Sequence, residues 1–187
     1  QINRYTGGNV LRLSNLPMPD FRTIDGAIKE VEWHKIVSAP YYSLITAPDS
    51  RVVGFGEGSS GKQLPRLLAM IEEAVPQLLP DATLLSLELV RQQDNYYYSR
   101  RHHYRPLPIY RAKFDDVEST WYHIDPLSGE LVNRVTDANR WERWLFNGLH
   151  SFDFQFLLQR RPLWDIVVIS LSLVGFVFSI SAVVIGW

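Results

Sequence analysis

The residues most able to do chemistry lie together at Asn95–Arg111, N-Y-Y-Y-S-R-R-H-H-Y-R-P-L-P-I-Y-R. From Arg91 to Lys113 the chain carries six basic groups against one acid, Asp94, a local charge of +5. Tyr96, Tyr97, Tyr98, Tyr104 and Tyr110 are interleaved with them. Guanidinium groups beside tyrosine rings suit an anionic ligand or a lipid headgroup surface, where each Lys or Arg is worth about 1 kcal/mol. Arg100, Arg101, His102, His103, Arg105, Tyr97 and Tyr104 are therefore the ligand- or lipid-contact candidates. The plainer reading is a solvated hairpin whose tyrosines pack on a sheet. Stacking of nucleic-acid bases on these rings is chemically conceivable. Residues 1–163 hold 19 basic and 19 acidic groups, however, and lack the basic footprint of a nucleic-acid binder, so no such partner is expected.

The histidines give one further candidate. His102 and His103 are adjacent and would face opposite sides of a strand, so one metal is a poor fit for both. His34 and His123 stand alone near strand ends, where a surface or satisfied-core role is expected. His150 lies in the nearly uncharged W-L-F-N-G-L-H-S-F-D-F, with Gly148 two positions earlier. A neutral imidazole there could be an axial haem ligand, or could cap a turn or bond Asp153. No resident metal is expected. The absence of cysteine excludes disulfides, iron–sulfur clusters, Cys-rich zinc sites and thiol nucleophiles. Gly56–Lys62, G-E-G-S-S-G-K, lacks the Ser or Thr that must follow the lysine of a phosphate loop, since Gln63 stands there. No catalytic residue is assigned.

These groups must be positioned by the elements around them. The pattern predicts an irregular segment over 1–20 and a helix from Thr23 through Ile24, Ala27, Ile28 and Val31. A strand pair follows, Lys35–Ala47 and Arg51–Phe55, about a turn at Pro48-Asp49-Ser50. Gly54–Gly61 reads as a loop. Leu64–Leu79 is helical in pattern, with Pro76 ending or kinking it. Strands are expected at Thr83–Gln92, Ile109–Phe114, Thr120–Asp125 and Leu131–Val135. A helical stretch then starts at a cap on Asp137 or Asn139, with Trp141, Trp144, Leu145 and Leu149 on one face. Helix followed by antiparallel strands, twice, predicts an α+β fold of two small units, 21–62 and 63–136. A linker over 137–161 would join them to a helix over 162–187.

That last helix sets the broad class. Ile166–Trp187 contains no charge and is long enough to cross a hydrocarbon core of about 30 Å. Trp164 and Trp187 stand at its ends, where indoles favour the interface, and Arg160 and Arg161 can snorkel to headgroups. Ser170, Ser172, Ser179 and Ser181, with Gly175 and Gly186, allow close helix contacts or serine bonds to the helix's own backbone. The lipid bilayer and other membrane subunits are the expected partners. A chain that begins at Gln and stops in an apolar run is expected to be part of a longer protein.

Tyr110–Val132, Y-R-A-K-F-D-D-V-E-S-T-W-Y-H-I-D-P-L-S-G-E-L-V, resembles the closing hairpin of a PepSY domain, with the Asp125/Gly129 spacing at its core. Followed by G-L-H-S-F-D-F and R-P-L-W-D, it resembles the PepSY-associated transmembrane proteins, the iron-regulated membrane proteins. The resemblance covers Leu64–Trp187 well and Phe21–Phe55 loosely, as a degenerate first unit. It implies PepSY units on the periplasmic side of a bacterial inner membrane. Some such proteins are similar to ferric–siderophore reductases that use b-type haem, which would make His150 an axial ligand. The chain departs from that pattern in having one apolar helix and no histidine within it, so the reductase reading needs elements from elsewhere. Accessory docking and peptidase inhibition are the non-enzymatic alternatives. Arg140, Arg143, Arg160 and Arg161 before the helix would favour a cytoplasmic head by the positive-inside rule. The resemblance favours the periplasm.

Overall fold

The computed structural model describes residues 2–8, 12–23, 27–37, 39–46, 50–55, 63–99, 104–150, 152, 154, 157 and 160–187. The fold is α+β, with two antiparallel sheets, as the order of patterns predicts. The first sheet is a meander of β1 (Ile28–Ile36), β2 (Ala39–Thr46) and β3 (Ser50–Gly54). The second is a meander of β4 (Leu84–Val90), β5 (Ile109–Phe114), β6 (Trp121–Ile124) and β7 (Leu131–Val135). Between them in sequence lies helix α2 (Leu64–Ala74), and a short helix α1 (Ile2–Thr6) precedes the first sheet.

The helix expected after Thr23 is not formed. Ile28 and Val31 belong to β1, and Ile24 and Asp25 lie outside the described residues. The apolar positions that mimic a helical stripe sit in a β-branched, aromatic run, I-K-E-V-E-W-H-K-I, that pairs with β2 from Ile28↔Thr46 to Ile36↔Ala39. Cross-strand pairing overrides the helix preference of the interspersed Lys and Glu. Pro76 does end α2, because the chain tightens into a 3₁₀ turn over Val75–Leu78. The Pro48-Asp49 turn and the glycine loop over 56–61 lie outside the described residues.

Helix α2 buries Leu67, Ile71 and Ala74. These residues share one core with Ile36, Tyr41 and Val53 of the first sheet and Ala112, Phe114, Tyr122 and Ile124 of the second. The sheets are also joined at the turn after β6. Asp125 organises that turn: its carboxylate accepts the Leu127 N–H (2.8 Å) and the Ser128 hydroxyl (3.0 Å), and its carbonyl accepts the Gly129 N–H (2.7 Å). Gly129 has φ +68°, and a side chain there would meet the Tyr41 hydroxyl and Ile36. Tyr5 donates to the Gly129 carbonyl at 2.9 Å, and Tyr41 donates to the Ser128 carbonyl. The Asp/Gly spacing is thus a tight turn that the first sheet grips.

The C-terminal helix α4 (Arg161–Gly186) contains the 25 residues Pro162–Gly186, whose most apolar window has a mean hydropathy of 2.5 and no buried share. It is long and apolar enough to cross a membrane. The Ser179 and Ser181 hydroxyls donate to the Gly175 and Val177 carbonyls at 2.9 Å, so both serines satisfy themselves within the helix.

Candidate functional site

The second sheet has two unlike faces, because side chains alternate along each strand. Ala112 and Phe114 of β5 and Tyr122 and Ile124 of β6 point into the core. Arg111 and Lys113, with Trp121 and His123 opposite them in register, point the other way. Asn133 and Val135 extend this second face onto β7, opposite His123 and Trp121.

The 91–108 segment folds over that face, and Asp94 is its organiser. One carboxylate oxygen accepts the N–H groups of Tyr96 and Tyr97, both at 2.9 Å. The other meets Arg111 Nη1 at 2.7 Å. Burial opposes ionisation of Asp94, but the Arg111 bond and the two backbone donors win and hold its pKa below the ordinary carboxylate value. Tyr97 is drawn inside and stacks on the His123 ring at 4.7 Å. Its hydroxyl donates to the Pro106 carbonyl at 3.0 Å.

Arg111 and His123 are buried, at 6% and 0% exposure. Arg111 Nε donates to His123 Nε2 at 2.9 Å. A guanidinium has only donors, so the imidazole accepts at Nε2 and carries its proton on Nδ1. Burial, and then the positive charge of Arg111, push the His123 pKa down to about 3. His123 is therefore a neutral core histidine, buried as the core expectation has it, but its Nδ1 has no hydrogen-bond partner among the described residues. Trp121 beside it is a cation platform, with Arg111 (5.1 Å), Lys113 (5.2 Å) and Arg140 (4.5 Å) over its ring.

The juxtamembrane segment packs against this assembly. Helix α3 (Asp137–Glu142) is capped by Thr136, whose N–H is accepted by the Asn139 carboxamide at 3.0 Å. The cap thus falls one residue before the expected Asp137, and Asn139 serves it from inside the helix. From Arg143 to His150 the helix widens to a π-helix. Arg143 is buried, donates from Nε to the Asn95 carbonyl at 3.0 Å and lies over the Tyr98 ring at 5.0 Å. The Trp144 indole donates to the Tyr96 hydroxyl at 3.0 Å. Trp144 therefore turns into the head, while Trp141, Leu145, Phe146 and Leu149 stay exposed.

Between these parts lies a cleft of about 390 Å³. The covering segment contributes Asn95, Tyr96, Tyr98 and Arg105. Strand β7 contributes Asn133, Arg134 and Val135. The juxtamembrane helix contributes Asn139, Arg143 and Asn147. This lining holds three guanidinium groups and four carboxamides and no carboxylate. Arg134 is offset by Glu118, 2.6 Å away. Such a cleft can accept an anion with polar substituents.

Of the expected contact residues, Arg105 lines the cleft, Tyr104 is freely exposed and Tyr97 is wholly buried, so Tyr97 serves the core rather than a surface. Arg100, Arg101, His102 and His103 lie outside the described residues. His150 is exposed at the end of the π-helix, with its ring stacked on Phe146 at 5.2 Å. Among the described residues nothing encloses it, and Pro162–Trp187 contains no histidine to serve as a second axial ligand. Among the described residues no group of three or more His, Asp or Glu side chains is placed to hold a metal ion. At the start of α4, the Trp164 indole donates to the Phe152 carbonyl at 3.2 Å, while Trp187 at the other end is fully exposed.

No protein-family model, curated protein or solved structure matches this chain.

Apart from Arg105, which belongs to the basic run, the Asn and Arg residues of the cleft had no motif to announce them. They come from three separate segments and meet only through strand register and the packing of the juxtamembrane helix. The available signal was the Arg143-Trp144 pair, whose polar ends need partners once their stems are buried.

Proposed function

We propose that this chain is the membrane-anchored head of a larger bacterial inner-membrane assembly, a non-catalytic docking subunit whose head faces the periplasm. The reading is carried by the way the head meets the apolar helix. Trp144 is bonded to Tyr96 of the head and lies 6.3 Å from the Phe154 ring. A side chain at Gly148 would crowd Phe154 at 3.3 Å, so the glycine lets Phe154 close on the helix. Trp164 then bonds the Phe152 carbonyl. This linkage couples the head to α4 instead of leaving it on a loose tether.

On the opposite side, Trp141, Leu145, Phe146 and Leu149 are each more than half exposed, immediately before the apolar span. An amphipathic helix with an apolar face in that position lies in the headgroup boundary. The periplasmic side is favoured by the resemblance of the Asp125–Gly129 turn and the His150 segment to PepSY-associated membrane proteins. The docking role is favoured over catalysis because Arg111 and His123, the candidate reactive pair of the second sheet, are buried and bonded to each other, and Arg111 to Asp94.

Sedimentation of the protein extracted in a mild detergent tests the reading. A particle containing further membrane subunits is expected. A monodisperse particle of this chain alone would contradict it. Haem-dependent electron transfer would need a second ligand beside His150. A haem absorbance in the natural full-length protein that His150→Ala abolishes would establish it in place of simple docking.

A further inference from the structure

We propose that the cleft beside the juxtamembrane helix binds a phosphate ester, through the guanidinium groups of Arg105 and Arg143 and the carboxamides of Asn133 and Asn147. Three observations carry it. The first is charge: no carboxylate lines the cleft, and Arg105 makes no ion pair among the described residues. Its contacts are a backbone N–H to Ser99 Oγ at 3.0 Å and a ring contact with Tyr97 at 5.2 Å. The second is an unused donor: Arg105 Nη1 is buried with no hydrogen-bond acceptor among the described residues. A buried donor without an acceptor is costly, and an oxyanion satisfies a guanidinium best. The third is composition and size: carboxamides suit hydroxyl or carbonyl substituents, and about 390 Å³ is at the small end of ligand sites, right for a headgroup rather than a large cofactor.

Two sources share this chemistry, a phospholipid headgroup and a soluble phosphate ester. The lipid source is the one expected, and it rests on the anchored reading above. Asn139, Arg143 and Asn147 stand on the same helix that exposes Trp141, Leu145 and Leu149. That helix would be the wall between the cleft and the bilayer. The phosphate chemistry itself does not depend on anchoring.

The full chain in maltoside detergent, mixed with phosphatidylglycerol or phosphatidylcholine, is examined by native mass spectrometry, with glycerol phosphate as the soluble competitor. Phosphatidylglycerol should stay bound to the wild type. Arg105→Gln should weaken it about tenfold to a hundredfold, the range for one charge-assisted bond. Asn147→Leu, which replaces a carboxamide by an apolar group of the same branching without removing charge, should weaken it as well, and a melting curve confirms that each variant is folded. Retention that glycerol phosphate cannot displace assigns a lipid headgroup. Direct binding of glycerol phosphate, with equal loss in both variants, assigns a soluble ester. Equal phosphatidylglycerol binding in the wild type and both variants would overturn the proposal, as would no binding of either probe. Glycerol phosphate binding by a chain that fails to sediment with liposomes would keep the cleft and refute the anchored reading.

Discussion

Mild acid should destabilise the head through one residue, His123. Its imidazole is wholly buried and accepts a hydrogen bond from Arg111. Burial, and then the Arg111 charge, lower its pKa to about 3 from the ordinary 6.5. The unfolded chain therefore takes up a proton near pH 6.5 that the folded chain refuses until about pH 3. Stability must fall as pH drops through that window. Well below 6.5 each pH unit costs about 1.4 kcal/mol, and going from pH 7 to 5 removes about 2 kcal/mol. The lowered carboxyl groups of Asp94, Asp116 and Glu88 act elsewhere. Their stabilisation is present above the unfolded carboxyl values and is lost only below them. Urea unfolding of the detergent-solubilised protein, followed by tryptophan fluorescence at pH 7, 6 and 5, measures the slope. His123→Gln retains a carbonyl oxygen for the Arg111 N–H but does not titrate. The wild type should lose about 2 kcal/mol more than this variant between pH 7 and 5. Parallel slopes for the two proteins would refute the reasoning.

Three further outcomes follow from particular contacts. Gly129→Ala places a side chain at φ +68° against Tyr41 and Ile36, and should cost at least about 1–2 kcal/mol in urea unfolding from the backbone alone; a loss below about 0.5 kcal/mol would contradict the turn geometry. Gly148→Leu should push Phe154 off the juxtamembrane helix and raise protease cleavage between the head and α4, whereas unchanged cleavage would show that the two are not coupled there. Lys113→Gln removes an exposed pair with Glu88, and thermal unfolding should register only about 0.2–1 kcal/mol.

Much of the fold is readable from local pattern. Strands β5, β6 and β7 are short runs separated by turn residues, so their positions follow from sequence. β1 is not readable that way. Its Lys and Glu residues mimic a helix, and only the pairing with β2 decides otherwise. Tyr97 takes the sheet-packing reading over the surface-contact one for a related reason. A tyrosine inside a basic run looks like surface, but the Asp94 bonds fold the chain back and bury it. The Arg111–His123 bond depends on strand register, since the two residues are paired across β5 and β6. The split of the juxtamembrane face, with Trp144 inward and Leu145 outward, comes from partners on the 91–108 segment and from the π-helical widening. Helical periodicity alone placed both on one face.

The central claim is that the head rests on the bilayer that α4 enters. The chain has no cysteine, so single spin labels can be placed cleanly on it. Labels at Ile169→Cys in the apolar span, Leu145→Cys on the juxtamembrane helix and the fully exposed Val117→Cys would be compared in liposomes by oxygen accessibility. The account predicts the label at 169 in the hydrocarbon core, the one at 145 within about 5–10 Å of the headgroup boundary and the one at 117 in water. A label at 145 as fully in water as that at 117, with 169 still in lipid, would contradict it.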